Sequence, residues 1–325
     1  MAITVTDIKT EYGAYYEAGG QNEKDLLGIF KEVSETEALF PEGIATVGPN
    51  QSDKVKKATF TTTRVLQPFQ KAFTPIGDVT FKPTEIDLFR LKIDTKFTPD
   101  DLQFSWLGFL KANNLDRTTW PFVRWIVEKF FVEQHKQDRE MNEVFKGDYT
   151  APTAGTAGAV STAMNGIRKI IRTKYAAGTT GVIALGSIPS AAADFCTYIE
   201  DFVKALPELV KTQGGSIVMS RTLRNLYREG KRAKYNQYWA QSADLDCVMD
   251  WEQFCVKGVA SHTGSDLIWY SPEFNKNRFM VAGENESLFK IGEYSPREVS
   301  IYTDYYYGVG FWIDQYVFHN DQDLV

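Results

Sequence analysis

Two β-rich runs between residues 55 and 98 constrain the fold more than any other feature, because they lack the apolar side chains that would bury them. The first run, 55–67, is rich in threonine, and the second, 89–97, alternates apolar with charged residues. That alternation is typical of a half-buried strand. A strand of about ten residues in each run would span ~33 Å at ~3.3 Å per residue. Isolated hairpins are marginal in water, so we predict a long hairpin that lies on another surface.

A long helix is predicted after this region. Thr118 or Thr119 can cap it, Pro121 lies in its first turn, and the pattern continues to about Lys146, just before Gly147. About 26 helical residues span roughly 39 Å. The middle of the segment is polar, which indicates a helix that is packed at both ends and crosses a surface between them.

Other elements are shorter. An amphipathic helix is predicted from Ala191 to Leu206, followed by a Gly214-Gly215 turn and a buried strand, after which Ser220 caps a further helix. The chain beyond about residue 241 is predicted to be mostly strands. Residues 1–50 are interpreted as an extended arm with one short helix at 23–33. The whole pattern indicates an α+β fold.

Bulk properties exclude several classes of protein. The first residues lack a basic segment and an apolar core, so we expect no signal peptide, and no apolar stretch is long enough to cross a bilayer. Three cysteines without CxxC spacing favour a reduced, cytosolic protein. The net charge of -6 is unlike that of a sequence-specific nucleic-acid binder. Residues 1–50 carry nine acids against three lysines, whereas 54–102 carries nine bases against six acids.

Motifs that would indicate catalysis are lacking. Gly308-Val309-Gly310 is the only GxG and has no third glycine in register. The three histidines are far apart in sequence and are interpreted as surface or turn residues, and Cys196 as a small core residue. We therefore expect no catalytic residue, metal or cofactor. A hydrolase that uses an unrecognised carboxylate pair stays open as an alternative, the candidate pairs being Asp100-Asp101, Asp244/Asp246 and Asp321/Asp323.

One basic cluster lies between residues 221 and 234, where six bases face a single acid. Tyrosines at 227, 235 and 238 are interleaved with it. The cluster could contact phosphates without sequence preference, contact an acidic surface of another subunit, or form an ordinary solvated helix face. The six bases are Arg221, Arg224, Arg228, Lys231, Arg232 and Lys234.

The order of these elements resembles the Hong Kong-97-type capsid fold of tailed-phage major capsid proteins, which encapsulin nanocompartments share. The most specific local likeness is the helix Ala191–Leu206, the strand after Gly214-Gly215 and the basic helix, which resemble the A-domain. The run from Phe289 to Tyr316 is similar to the closing strands of the P-domain. The resemblance implies the following segments: an N-terminal arm at 1–50, an extended hairpin (the E-loop) at 51–105, the spine helix and part of the P-domain at 106–160, the A-domain at 161–265, and closing P-domain strands at 266–325.

The resemblance also implies a function. We expect a major capsid protein that forms pentamers and hexamers of an icosahedral head around double-stranded DNA, with itself and with portal, scaffold or decoration proteins as partners and no membrane. It would assemble in the bacterial cytoplasm and reside in the virion. An encapsulin-like shell around a protein cargo is the alternative. Segment 151–163, rich in small residues, is a candidate flexible junction.

Candidate contacts between subunits follow from the two basic regions. We predict that the acidic arm of one subunit meets the basic hairpin of another, and that deletion of 57–97 leaves a foldable subunit that forms no shells. The candidate contact residues are Lys56, Lys57, Phe60, Arg64, Phe89, Arg90, Lys92, Arg224, Arg228 and Arg232.

Overall fold

A computed structural model describes residues 4–16, 34–42, 54–62, 66–77, 79–235, 245–282, 290–295 and 297–324. The chain forms two compact units. The first contains Met1–Ala38, Phe89–Asn165 and Met280–Tyr307, and the second contains Leu39–Leu88, Gly166–Phe279 and Gly308–Val325. In the described ranges, no helix is long and apolar enough to cross a membrane.

Seven helices of four or more residues are numbered in chain order within the described part of the chain. One of them, α3, is a continuous helical run that changes between α and π geometry. The helices are α1 (Val5–Tyr16), α2 (Pro99–Asn113), α3 (Phe122–Ile126, Val127–Phe131, Val132–Asp138 and Arg139–Val144), α4 (Ile167–Ala176), α5 (Ala192–Ala205), α6 (Glu208–Lys211) and α7 (Arg221–Tyr235).

The strands fall into three sheets. One is the two-stranded hairpin β1–β2, one is ordered β10-β11-β3 with β9 also paired to β11, and one is ordered β4-β12-β8-β5-β7-β6. The strands are β1 (Lys54–Thr62), β2 (Val79–Asp87), β3 (Phe89–Phe97), β4 (Gly181–Ile183), β5 (Gly215–Ser220), β6 (Cys247–Val248), β7 (Trp251–Val259), β8 (Trp269–Tyr270), β9 (Lys276–Ala282), β10 (Lys290–Ser295), β11 (Glu298–Phe311) and β12 (Phe318–Asn320).

The first unit is built on the antiparallel pair β3–β11, whose register runs from Phe89↔Tyr307 to Phe97↔Val299. Every second residue of β11 from Val299 to Tyr307 is buried, as the period of two predicts, and Val299 and Ile301 are fully buried. Helices α1, α2 and the first turns of α3 contribute to the same core. The α3 run confirms the predicted long helix, but its N-cap is Pro121 instead of a threonine.

The second unit is built on the six-stranded sheet, in which β5 is parallel to β7 and antiparallel to β8. Helices α5 and α7 contribute its apolar core. Local signals placed these elements correctly. Ser220 accepts a hydrogen bond from the Leu223 backbone N–H at 3.3 Å, and Gly214 and Gly215 have φ of 62° and 132°, which glycine adopts readily. The predicted α+β class is confirmed.

The predicted partners of the long hairpin are wrong. Strand β1 pairs with β2, from Lys54↔Asp87 to Thr62↔Val79, whereas 89–97 pairs with β11. The alternation in 89–97 correctly indicates a half-buried strand but does not identify its partner. The sequence pattern did not predict the actual second strand, 79–87, because Pro83 interrupts its run of strand-forming residues. Proline is tolerated there because both hairpin strands are edge strands in the described chain.

The extended interpretation of residues 5–16 is also wrong, since they form α1. Thr4 and Asp7 cap this helix reciprocally: Thr4 N donates to Asp7 Oδ2 at 2.9 Å and Asp7 N donates to Thr4 Oγ1 at 3.2 Å. Ile8 and Tyr12 lie one turn apart on the buried face. The predicted short helix at 23–33 lies outside the described residues.

Two of the three histidines are buried, contrary to the surface interpretation. His262 Nε2 accepts a hydrogen bond from Trp269 Nε1 at 3.0 Å, and His319 Nε2 lies 2.8 Å from Thr180 Oγ1. Both rings are fully buried. Both imidazoles are core side chains whose ring nitrogens have hydrogen-bond partners, as buried polar atoms require.

The prediction that the three cysteines are reduced is wrong for two of them. Cys247 and Cys255 are opposite each other across the antiparallel pair β6–β7 and form a disulfide, so the chain does not carry three reduced thiols. Strand register brought together two cysteines whose spacing matches no motif. Cys196 is buried, as expected for a core residue, and burial raises the pKa of its thiol to about 12.

Segment 151–163 forms a loop whose base is fixed. Asp148 N donates to Ser161 O at 2.8 Å, and Thr150 N donates to Thr162 O at 3.1 Å. Glu143 accepts a hydrogen bond from Ala163 N at 3.1 Å. Residues 151–160 are exposed. The two ends of the segment therefore lie together, and the boundary between the two units follows at Asn165.

Candidate subunit-contact surfaces

The β1–β2 hairpin is the most unusual surface of the second unit. Neither strand pairs with another strand in the part of the chain that the structure describes. Nine paired residues on each strand give a ladder of about 30 Å. On β1 the described side chains, 54–58, are exposed or half-buried. A ribbon of this length cannot form a core from its own side chains.

The tip of the hairpin, residues 66–77, exposes large apolar side chains. Phe69 and Phe73 are each 94% exposed, and Leu66 is 82% exposed. The tip is nevertheless ordered by hydrogen bonds, because Gln67 Nε2 donates to Thr74 O at 2.7 Å and Gln70 Nε2 donates to Thr74 Oγ1. Contiguous exposed apolar groups of this kind mark interaction sites.

The stem of the hairpin is charged, but its charges are largely paired. Lys54 and Lys56 lie 2.9 and 3.0 Å from the Glu85 carboxylate, and their hydrogen bonds hold the pKa of Glu85 below its ordinary value. The ammonium group of Lys57 lies 5.3 Å from the centre of the Trp312 ring. Of the remaining candidates, the Phe60 side chain and the whole of Arg64 lie outside the described residues.

The candidates on β3 are separate from the hairpin. The Phe89 ring packs against the Tyr149 ring with centroids 4.9 Å apart. On the exposed sheet face, Arg90 pairs with Asp304 at 3.0 Å, and Lys92 pairs with Asp94 at 2.6 Å. These groups form a solvated, charge-balanced face of the first unit.

The basic cluster on α7 is partly neutralised within the second unit. Arg224 Nε donates to Asp246 Oδ1 at 3.0 Å, and Arg228 Nε lies 3.2 Å from the same oxygen. Lys234 pairs with Glu200 at 2.7 Å. Arg232 is exposed. The six bases therefore do not form one open cationic surface for phosphates.

A buried anchor in the first unit was not predicted from the sequence. It consists of Ser34, Thr36, Glu37, Arg139 and Glu140. Arg139 Nη2 donates to Glu37 Oε2 at 3.0 Å, and the two side chains are 2% and 0% exposed. Thr36 N donates to Glu140 Oε2 at 3.1 Å. The second π turn of α3 thus holds segment 34–37 through the Arg139 guanidinium and the Glu140 carboxylate.

The electrostatics of this anchor favour its charged form. Burial alone would raise the pKa of Glu37, but the Arg139 guanidinium and the Tyr307 hydroxyl hold it below its ordinary value. Ser34 N and Oγ also donate to Glu37 Oε2, at 2.9 and 3.0 Å. The bond from Ser34 N to the Glu37 carboxylate is one of the two bonds of a capping box, and the S-x-x-E spacing of 34–37 was the signal that could have revealed it.

The acid pairs considered for hydrolysis are occupied or solvated. Asp246 binds two arginines, and Asp323 accepts a hydrogen bond from Arg172 Nη2 at 3.2 Å. Asp100 and Asp101 are exposed in the first turn of α2, and Asp244 lies outside the described residues. Across the described ranges, no three His, Cys, Asp or Glu side chains form a group that could hold a metal ion.

Comparison with known proteins finds likeness in structure only. No protein-family model and no curated protein sequence matches the chain. A chain of the satellite phage P4 procapsid including the size determination (Sid) protein matches with TM-score 0.56 and 11% identity, over 96% of this chain and 95% of that one. A Mycobacterium phage Ogopogo chain matches with TM-score 0.51 and 14% identity, over 89% and 91%. The protein therefore has the fold of tailed-phage major capsid proteins.

Proposed function

We propose that the chain is the major capsid protein of a tailed bacteriophage, a structural subunit and not an enzyme. The observation that carries the proposal is the hairpin tip, where Leu66, Phe69 and Phe73 are almost wholly exposed on an ordered ribbon. A subunit that stays alone gains nothing from this arrangement. A subunit that assembles can bury the tip on a second copy.

The energetics suit ring assembly. Burying a leucine or phenylalanine side chain contributes about 1.5–3 kcal/mol, so the three together contribute roughly 5–9 kcal/mol. Loss of translational and rotational freedom on association costs about 4–15 kcal/mol. One tip therefore roughly offsets the cost of association and gives at most a weak contact between two subunits, whereas a closed ring in which each subunit gives and receives a tip gains several contacts at once. Pentamers and hexamers are such rings.

Charge supports the same proposal. Segment 54–87 has six basic and three acidic residues, and segment 1–50 has a net charge of -6. We propose that the acidic arm of one subunit meets the hairpin of another, which would steer the subunits together. Packaged double-stranded DNA would be contacted without sequence preference. The pairing of Arg224 and Arg228 with Asp246 suits a container that must release its genome.

The elements can be assigned to the domains of the capsid fold as part of this proposal. The E-loop would be the hairpin between 54 and 87, the spine helix would be α3, and the A-domain would contain α5, β5 and α7, pointing to the centre of a capsomer. Portal, scaffold or decoration proteins would be partners. Assembly would occur in the bacterial cytoplasm, and the mature protein would lie in the virion.

Expression of the full chain, alone and with its genomic neighbours, tests this function. Electron microscopy and sedimentation should show capsomers or shells, and shells formed with portal and packaging proteins should protect double-stranded DNA from nuclease. Shells that enclose only a protein cargo would support an encapsulin-like compartment instead. A monodisperse monomer under every assembly condition would overturn the proposal.

A further inference from the structure

The only GxG of the sequence, Gly308-Val309-Gly310, contacts the root of the hairpin. A Cβ atom on Gly308 would lie 2.3 Å from the backbone oxygen of Asp87 and 2.8 Å from Cδ2 of Leu88. A Cβ atom on Gly310 would lie 3.0 Å from Cγ1 and Cγ2 of Ile86. The last residues of β2 therefore pass β11 at a distance that only glycine allows at 308, and that leaves a Cβ at 310 in tight contact with Ile86.

Backbone conformation does not explain these glycines. Neither Gly308 nor Gly310 is among the residues with positive φ, so other residues could adopt their backbone angles. Glycine in a strand interior weakens the strand and often marks the close approach of another backbone. The approach of Asp87 and Ile86 is thus the physical reason for both positions.

The contact of Gly308 and Gly310 with residues 86–88, which we call the seat of the hairpin, is surrounded by buried side chains. Ile86 and Leu88 are buried, as are Val309 and Phe311 beside the glycines. On the other hairpin strand, Lys57 lies over the Trp312 ring. Both hairpin strands are therefore in contact with residues 308–312, and the closely packed seat cannot yield without moving its neighbours.

We propose that Gly308 and Gly310 are positioning residues that set the direction in which the hairpin leaves its unit. With alanine at 308, the Asp87 oxygen would have to withdraw by about 1 Å to reach ordinary contact distance. If the hairpin rotates about a point one strand spacing (~5 Å) from the shifted atom, this shift moves the far end of a ~30 Å hairpin by roughly 6 Å. The consequence for shells rests on the proposed function, whereas the geometric effect does not.

Distance measurement in the unassembled full-length protein tests the seat directly. Spin labels are placed at the tip and on α5 with Gln70→Cys and Lys204→Cys, and their separation is measured by double electron–electron resonance. Gly308→Ala should shift or broaden the distance distribution by several ångströms, and Gly310→Ala by less. Gly108→Ala is the matched control, because a Cβ there meets nothing within 4 Å, and it should leave the distribution unchanged.

If Gly308→Ala fails to fold, a second pair of variants still tests the seat. Gly310→Ala meets only the Ile86 side chain among its close contacts, so Gly310→Ala combined with Ile86→Ala should restore the wild-type distance. An unchanged distribution in Gly308→Ala, or a shift in Gly310→Ala that the second substitution does not reverse, would overturn the seat. Intact shells from a variant whose hairpin has moved would overturn its link to assembly. Absence of shells from the wild type would contradict the proposed function alone.

Discussion

Glu37 and Arg139 form an ion pair that is closed to solvent, with Arg139 Nη2 donating to Glu37 Oε2 at 3.0 Å and exposures of 0% and 2%. They are 102 positions apart in sequence. The pair joins segment 34–37 to the second π turn of α3. It converts a short capped turn into part of the core of the first unit.

Removal of one charge from this pair should be costly. Glu37→Gln leaves the Arg139 guanidinium buried without its counter-ion, and such changes destabilise proteins by about 3–5 kcal/mol. Urea denaturation of the unassembled subunit measures the loss. Glu133→Gln is the control, since its pair with Lys136 spans 3.8 Å and the Glu133 side chain is 66% exposed; it should change stability by less than about 1 kcal/mol. Equal effects of the two substitutions would contradict the buried anchor.

The neighbouring His135 should make the fold sensitive to acid. Burial, and then the charge of Arg139, lower the pKa of His135 to about 4, and His135 Nε2 lies 2.8 Å from Tyr305 Oη. Between pH 6.5 and 4 the unfolded chain binds a proton at this position that the folded chain does not, so stability falls as pH falls through this window. His135→Asn should remove this pH-dependent loss of stability, which amounts to about 3 kcal/mol at pH 4.

Unfolding of wild type and His135→Asn at pH 7, 5.5 and 4 measures this difference. The gap in unfolding free energy between the two proteins should change in favour of the variant as the pH falls. Parallel pH profiles for the two proteins would show that His135 titrates normally.

Lys276 should act in the same direction as His135 but in an alkaline pH window. Its side chain is buried, and burial lowers the pKa of its ammonium group to about 8. From pH 8 to 10.5 the unfolded chain is protonated and the folded chain is not, so stability rises with pH there. Lys276→Met should therefore stabilise the protein at pH 7 by about 3 kcal/mol, and the gain should decline above pH 8. Lys290→Met, at an exposed site, is the control, and an equal gain from it would contradict the interpretation.

The parts of the fold that could be predicted depend on local signals. The cap at Ser220 and the positive-φ pair Gly214-Gly215 each act within a few residues, and the amphipathic pattern of 191–206 is also local, so α5, β5 and α7 were placed correctly. Alternation also identified 89–97 as a strand. It could not identify the partner, because a period of two reports which face is buried and not which strand lies alongside.

The candidate surfaces were harder to predict for the same physical reason. Arg224 and Arg228 looked free in sequence because Asp246 lies about 20 positions away, and strand pairing brings it to them. The pair Glu37–Arg139 depends on contacts across more than 100 positions. The apolar tip was within reach of sequence reasoning, since Phe69 and Phe73 come soon after the predicted run 55–67, but their exposure is known only once the true partner of β1 is known.

Because β3 is not part of the hairpin, deletion of 57–97 does not test shell assembly cleanly. Deletion of 57–97 would remove β3, whose Leu91 is buried in the first unit, so loss of shells could reflect loss of the fold. Substitution of the tip avoids this, because Phe69 and Phe73 touch no core. Phe104→Ser is a matched control, since Phe104 on α2 is 83% exposed and lies outside the tip.

The most direct measurement is therefore shell assembly by Phe69→Ser/Phe73→Ser beside wild type and Phe104→Ser, followed by sedimentation and electron microscopy. All three proteins should have the same circular dichroism and melting temperature. Wild type and the control should form shells, and the tip variant should remain as unassembled subunits. Shells of normal number and size from the tip variant would contradict the account.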